Sequence, residues 1–210
     1  MMETKNGKGK LIVLFGINGS GKTTILNMLQ SNCRKSNIIF TKAISNRVFS
    51  SQLWFVRDKY NISEENYFSE EFKRTVWIND LVWNTFNNII PILENGNDVI
   101  LDRYAICSRV FLEAHSNKTY YCMANMLDCL PQPDFGIFLD VNTDNAIQRI
   151  KNRVAQQNAH GCNEPLSLLK EKYDSIIPHE KYKIDRINAN QNINKVYSDV
   201  LTSLSRVIFL

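Results

Sequence analysis

The chain has 210 residues, of which 44% are hydrophobic and 22% charged, and this composition is typical of one globular domain with a sizeable core. The formal net charge of +4 is small and dispersed, so we expect no binding to polymeric nucleic acid, whereas anionic small molecules suit it well. No apolar run reaches the roughly 18 residues of a membrane span, and the polar, Gly-rich segment 1–10 is not a signal peptide, so we expect a cytoplasmic protein without membrane contact.

The cysteines do not form a metal-binding or disulfide pattern. They contain no Cys-x-x-Cys pair, they do not fall at metal-ligand spacing with the three histidines, and their odd number leaves one unpaired. We therefore expect thiols in a reducing compartment. The five cysteines are Cys33, Cys107, Cys122, Cys129 and Cys162.

Short apolar runs alternate with longer segments of helical period along the chain. The runs are apolar throughout and do not alternate with polar residues, which favours strands buried on both faces of a parallel sheet. The intervening segments are long enough for helical crossovers. The predicted strands are Leu11–Phe15, Asn37–Phe40, Asp98–Leu101, Phe135–Leu139 and Tyr182–Ile187.

Four segments have the spacing of amphipathic helices, and with the strands they predict a doubly wound α/β fold. They are Thr23–Cys33, Glu64–Glu94, Thr143–Gln156 and Asn192–Phe209. The second is long enough for two helices, and we expect Pro91 to kink or tighten its last turn. No linker divides the chain, so residues 1–210 are predicted to form a single domain, with residues 1–9 flexible.

The segment that follows the first strand matches the phosphate-binding pattern G-x-x-x-x-G-K-[ST]. It reads Gly16-Ile17-Asn18-Gly19-Ser20-Gly21-Lys22-Thr23 and is followed by Thr24. Glycines let backbone N–H groups converge on a triphosphate, and the start of the following helix adds positive potential. We expect the loop and Thr24 to bind ATP, Lys22 to reach the β- and γ-phosphates, and the Thr23 hydroxyl to ligate Mg²⁺.

A second motif selects among the classes of P-loop protein. The chain has no Asn-Lys-x-Asp guanine motif and no Asp-x-x-Gly switch, and its small size with an early P-loop favours nucleoside and nucleotide kinases. The third strand ends in Asp102-Arg103-Tyr104, at an edge where side chains enter the ligand crevice. Asp102 is predicted to hold Mg²⁺ through water, and Arg103 to grip an acceptor phosphate. A surface ion pair at the strand end is the alternative.

With these motifs the sequence resembles the thymidylate kinase family. That family has a helix ending in Pro-x-x-x-x-Gly and then a strand ending in Asp-Arg-[Tyr/His], which here are residues 91–96 and 99–104. The resemblance continues through 133–141, 149–153 and 184–190, so it spans most of the chain. It implies the P-loop NTPase fold, a three-layer domain with a five-stranded parallel sheet in the order 2-3-1-4-5.

The sequence departs from the family pattern at four places, and all of them lie on the acceptor side. The family's P-loop Asp is replaced by Asn18 here, and its Phe-Pro-x-Arg segment is missing, with Arg47 as a stand-in. Leu81 occupies the position of the family's base-reading Arg, and Cys107 that of the Ser after the Asp-Arg-Tyr motif. The aromatic residue that stacks on the base is retained as Trp77. The donor side is intact, so the acceptor is either the family's own or a related one.

The resemblance also implies roles for residues elsewhere in the chain. Arg149 and Arg153 would close over ATP as part of a lid at about 150–165, and Asn190 lies in the loop that borders adenine. Arg47, Trp77 and Tyr104 would contact the acceptor. A solvated helix face remains the alternative for the two arginines, a plain loop the alternative for the lid, and a core position the alternative for Trp77. A homodimer through the helices between strands two and three is also implied.

The sequence therefore predicts an ATP-dependent kinase of nucleoside monophosphates that converts dTMP to dTDP and uses Mg²⁺. Two alternatives stay open. One is a deoxynucleoside kinase, whose hydroxyl acceptor needs a carboxylate base, for which Asp102 is the candidate. The other is a non-catalytic ATP-binding module that has lost its acceptor site.

Overall fold

A five-stranded parallel sheet forms the centre of the computed structural model, which describes residues 7–62, 67–114, 120–157 and 165–208. The strand order is β2-β3-β1-β4-β5, as predicted, and every neighbouring pair is parallel. The strands are β1 (Leu11–Phe15), β2 (Ile38–Lys42), β3 (Asp98–Asp102), β4 (Phe135–Asp140) and β5 (Lys183–Asn188).

Helices flank the sheet and connect its strands. They are α1 (Lys22–Asn32), α2 (Ser50–Tyr60), α3 (Glu70–Asn84), α4 (Ile90–Glu94), α5 (Ala105–Ala114), α6 (Tyr120–Asp128), α7 (Thr143–Gln157), α8 (Leu166–Ile176) and α9 (Ile193–Leu204). A π-helical turn at Thr85–Ile89 joins α3 to α4. No helix in the described part of the chain is long and apolar enough to cross a membrane.

The helical region predicted at Glu64–Glu94 differs from the prediction in two ways. Residues 63–66 lie outside the described residues, and α3 begins after Ser69, whose hydroxyl accepts a 3.2 Å hydrogen bond from the Phe72 amide. Pro91 does not kink a last turn but stands at the start of α4. The irregularity precedes it, because a proline offers no N–H and its ring clashes with the carbonyl four residues earlier, which the wider π turn accommodates.

The core consists of the apolar strands and the helix faces that cover them. All five residues of β1 are buried, and the Phe15 ring lies 5.4 Å from that of Phe138 and 5.8 Å from that of Tyr173 between ring centroids. Of the segment predicted to be flexible, residues 1–6 lie outside the described residues, and Gly9 donates a 2.7 Å backbone hydrogen bond to the Leu93 carbonyl.

The sheet brings the ends of three strands together. Asp102, the last residue of β3, is in register with Leu14 of β1 and with Lys42 of β2. The backbone continues this pairing beyond the strands, since the Ala43 amide donates to the Asp102 carbonyl at 3.2 Å and the Arg103 amide to the Leu14 carbonyl at 3.0 Å. The P-loop follows β1 directly, so the two sequence motifs meet at one edge of the sheet.

Candidate active site

The P-loop has a backbone conformation at Gly19 and at Gly21 that favours glycine. Gly19 has φ +81°, and a Cβ there would lie 2.5 Å from the Ala146 carbonyl oxygen of α7. Gly21, the residue before α1, has φ +97°. Both values are in the left-handed region that residues with side chains avoid. The loop therefore curls tightly in front of α1, and α7 packs against it.

Lys22 is the buried cation at the centre of this loop. Its side chain donates to the carbonyls of Gly16 at 3.0 Å and Ile17 at 2.8 Å and to the Ser20 hydroxyl at 3.2 Å, and the residue is 6% exposed. Burial and, to a smaller extent, the nearby Arg103 charge lower its pKa to about 7, and the Asp102 carboxylate opposes the shift. An anionic phosphate beside the amine would raise this pKa, so the site favours an anion.

Thr23 and Asp102 form an oxygen-rich corner next to Lys22. The Thr23 hydroxyl donates to Asp102 Oδ2 at 3.2 Å, and Asp102 Oδ1 is buried with no hydrogen-bond partner in the described chain. A buried carboxylate oxygen without a partner calls for a ligand. No group of three or more His, Cys, Asp or Glu side chains suited to a metal ion occurs among the described residues. One carboxylate and one hydroxyl suit Mg²⁺, which keeps its waters and takes further oxygens from substrate phosphates.

Arg103 has a strained backbone conformation at the end of β3. Its φ is +69°, and of the described non-glycine residues only Asn61 also has a positive φ. Such a conformation is costly for a residue with a side chain and is often found at functional sites. The Arg103 guanidinium donates to the Asn18 side-chain oxygen, which links the acceptor-motif arginine to the P-loop.

A cavity of about 320 Å³ lies in front of the P-loop. Its wall is formed by Asn18, Gly19, Gly21, Lys22, Thr23, Thr24, Asp102, Arg103, Arg149, Ile150 and Arg153. Its surface therefore combines loop backbone with four cationic side chains, an arrangement suited to a polyphosphate.

Arg149 and Arg153 approach this cavity from α7. The Arg149 guanidinium donates to the Gly19 carbonyl at 3.3 Å and to the Ala189 carbonyl at 2.9 Å, so it does not belong to a solvated helix face. Asn190 is not part of the described cavity wall. Its side-chain oxygen accepts from the Asn142 amide at 2.9 Å and fixes the start of α7. Residues 158–164 of the predicted lid lie outside the described residues.

A second cavity, of about 380 Å³, adjoins the first. It is lined by Thr23, Lys42, Ala43, Ile44, Arg47, Trp77, Leu81, Asp102, Arg103, Tyr104, Cys107, Ser108 and Phe111. All five residues predicted to bind the acceptor are in this wall. Thr23, Asp102 and Arg103 line both cavities, so the two spaces meet at the oxygen-rich corner and the strained arginine.

The second cavity has an aromatic and aliphatic wall. Trp77 is 42% exposed, which excludes the core position left open by the sequence. The Arg47 guanidinium lies 4.7 Å from the centroid of the Trp54 ring, in a cation–π contact. Tyr104 contributes its ring, since its hydroxyl donates to the Pro131 carbonyl at 3.1 Å and burial raises its pKa to about 12.

The wall also contains residues that were not predicted as site residues, among them Lys42, Ser108 and Phe111. The position of Lys42 at the end of the second strand could have indicated a site residue, because that strand end lies next to Asp102 in the sheet. Ser108 and Phe111 follow the Asp-Arg-Tyr motif on α5 at helical spacing, which places them on the same side of that helix.

Comparison with known proteins agrees with this site. The family model for thymidylate kinase matches residues 15–200. A thymidylate kinase of Leptospira interrogans is 24% identical over 201 residues, covering 94% of each chain. A probable thymidylate kinase of Pyrococcus abyssi is 27% identical over 198 residues, covering 92% of this chain and 95% of its own. The predicted resemblance is confirmed, and the chain belongs to the thymidylate kinase family.

Proposed function

We propose that the protein transfers the γ-phosphoryl group of ATP to dTMP, producing ADP and dTDP. Membership of the family supports an ATP-dependent phosphotransferase that acts on a nucleoside monophosphate. The observation that carries the proposal is the junction of the two cavities, where Thr23, Asp102 and Arg103 border both spaces. A phosphoryl group held there would have its donor on one side and its acceptor on the other.

On the donor side, the P-loop backbone and Lys22 bind the β- and γ-phosphates. Thr23 and Asp102 would hold Mg²⁺, which neutralises phosphate charge when bound. Arg149 and Arg153 add positive charge from α7, where it stabilises the transferring group. Because Arg149 already bonds to the Gly19 carbonyl, its approach to the nucleotide is coupled to the position of the P-loop.

On the acceptor side, Arg103 binds the acceptor phosphate at the junction, with Lys42 and Arg47 as further cations in the same wall. Trp77 offers an exposed ring for stacking against a base. No general base is needed, since the attacking phosphate oxygen is already anionic. Positioning and charge stabilisation are then the whole task of the protein.

The test is ADP production from Mg·ATP with a panel of acceptors that contains dTMP, other deoxynucleoside monophosphates, thymidine and deoxycytidine. We expect turnover with dTMP and none with the nucleosides. Turnover with nucleosides alone would make the protein a deoxynucleoside kinase with Asp102 as the base candidate. Bound ATP without turnover on any acceptor would instead indicate a non-catalytic module. These substrates also make the cytoplasm the proposed place of action.

The pKa of Lys22 leads to a pH-dependent signal on ATP binding. The amine is neutral for the most part above its pKa of about 7, and the bound polyphosphate favours the ammonium form. Binding at about pH 8 should therefore take up close to one proton, and the apparent Kd should rise up to about tenfold per pH unit above 7. Calorimetry in two buffers of different ionisation enthalpy measures this uptake. A Lys22→Met variant should show none, and equal uptake by both proteins would contradict the assignment.

We also propose that two copies associate through α2 and the α3 region. Large apolar side chains are exposed there, among them Phe49, Phe55 and Phe86, and Phe55 is 58% exposed. Sedimentation should give twice the mass of one chain, and Phe55→Asp combined with Phe86→Asp should give the monomer. A monomeric wild-type protein would contradict the proposal.

A further inference from the structure

The loop between β2 and α2, residues 43–49, is held by two buried polar side chains of α3. Asp80 is 0% exposed and Asn84 is 1% exposed. Neither is among the described residues that line the second cavity, where we propose that the acceptor binds, so we expect neither to contact the acceptor directly. Buried polar groups of this kind are usually committed to specific partners, and several of the partners here are in the loop or at the start of α2.

Asp80 fixes the end of the loop where α2 begins. Its Oδ1 accepts from the Phe49 amide at 2.8 Å and its Oδ2 from the Ser50 amide at 3.0 Å. Phe49 is the cap residue of α2 and makes no side-chain cap hydrogen bond. The carboxylate of another helix therefore caps α2, at the end where the helix dipole favours negative charge.

Asn84 fixes the loop three residues earlier. Its side-chain oxygen accepts from the Asn46 amide at 3.0 Å, and its side-chain nitrogen donates to the Asn46 carbonyl at 2.6 Å. The same oxygen accepts from the Ser45 hydroxyl at 2.9 Å. Both backbone groups of Asn46 are thus paired with one amide, as they would be with a neighbouring strand.

Arg47 lies between these two anchors and lines the acceptor cavity. The backbone on each side of it is bonded to α3, and its guanidinium rests on Trp54. Trp77 and Leu81, which line the same cavity, lie one turn before Asp80 and Asn84 on the same helix. Helix α3 therefore sets the distance between the cationic loop and the apolar wall.

We propose that Asp80 and Asn84 are positioning residues for the acceptor, acting through Arg47, and this rests on the proposed nucleoside monophosphate kinase activity. They hold the 43–49 loop so that the Arg47 guanidinium faces the acceptor across from Trp77. Their role is specific to the acceptor half of the site, because the P-loop and α7 contacts of the donor half involve other residues.

The first test measures KM for dTMP and for ATP in Asp80→Asn and Asn84→Ala. Loss of hydrogen bonds that hold the loop predicts that KM for dTMP rises by about tenfold, with KM for ATP unchanged. Asn79→Ala is the matched control, since Asn79 is on the same helix and its side chain donates only to the Thr75 carbonyl at 2.9 Å among the bonds found in the described chain. This control should leave both KM values unchanged.

The second test is a double-mutant cycle with Arg47→Ala. If Asp80 acts through Arg47, Asp80→Asn should change KM for dTMP by less than about twofold once Arg47 is absent. If Asp80→Asn does not fold, Ser45→Ala removes one loop bond to Asn84 without changing α3, and its smaller effect on KM for dTMP should vanish in the same background.

The outcomes separate this proposal from the one on which it depends. Wild-type protein without dTMP turnover overturns the proposed activity and the acceptor role together. Active wild type whose variants lose kcat with unchanged KM for dTMP shows a purely structural role and overturns the positioning proposal alone. The same KM change with and without Arg47 overturns the assignment to Arg47. A KM change for dTMP that occurs when Arg47 is present and disappears in Arg47→Ala supports the proposal.

Discussion

Replacing Lys22 by methionine should lower kcat by about three orders of magnitude, because one pre-positioned cation on the transferring phosphate is worth about that much. Lys22 is buried in the P-loop and bonded to Gly16, Ile17 and Ser20, so water cannot take its place easily. Steady-state ADP production with saturating dTMP measures the effect. A matched control is Lys195→Met, whose side chain is 61% exposed and pairs with Asp199 on α9, and it should keep wild-type turnover.

The same substitution should leave the fold intact. Burial of the Lys22 ammonium lowers the free energy of unfolding, and this destabilisation is complete at pH values below the Lys22 pKa of about 7. The destabilisation decreases as the pH rises from there towards the ordinary lysine pKa of 10.5. Methionine carries no such penalty, although it leaves three oxygen atoms without their donor. We expect a thermal midpoint within a few degrees of wild type near neutral pH. Loss of turnover accompanied by unfolding would contradict the assignment of Lys22 to phosphate binding.

The second large effect is expected at Arg103. Arg103→Ala should reduce kcat/KM for dTMP by about a thousandfold, since the residue borders both cavities and bonds to Asn18 of the P-loop. Arg103→Lys keeps a cation but loses the forked geometry, so it should recover only part of the activity. Turnover by Arg103→Ala within tenfold of wild type would show that the acceptor phosphate is bound elsewhere.

A glycine variant separates the backbone of Arg103 from its side chain. The φ of +69° costs a residue with a Cβ about 1 kcal/mol, which glycine does not incur. Arg103→Gly should therefore be as inactive as Arg103→Ala but more stable to unfolding by about that amount, as measured by denaturant titration. Equal stability of the two variants would mean that the turn relaxes when the guanidinium is removed.

The local parts of this protein could be predicted from its sequence. The P-loop is contiguous, its glycines and Lys22 act within eight residues, and the buried strands are short apolar runs. Strand β3 and the Asp102-Arg103 pair at its end likewise depend only on residues that are neighbours in the chain. The family resemblance was based on these pieces, and the resemblance in turn implied the sheet order that the structure has.

Helix α2 shows where local pattern was insufficient. The sequence did not single it out, because only Ser50 and Leu53 of its residues are buried and it has no clear apolar face. Its start is set instead by Asp80, thirty residues away in the chain, whose carboxylate caps it. The π turn before Pro91 likewise follows from packing of a proline in a long helical region, which a pattern of apolar residues does not report.

The sequence by itself thus determined the phosphate loop, the parallel strands and the residue types of the acceptor motif, because each depends on neighbours in the chain. Only the tertiary structure decided that Trp77 faces a cavity, that Arg149 bonds to the P-loop, and that Lys42 lines the second cavity. It also decided that two cavities meet at Asp102 and Arg103. These facts depend on contacts between segments far apart in sequence, and such contacts exist only once the sheet and its helices have packed.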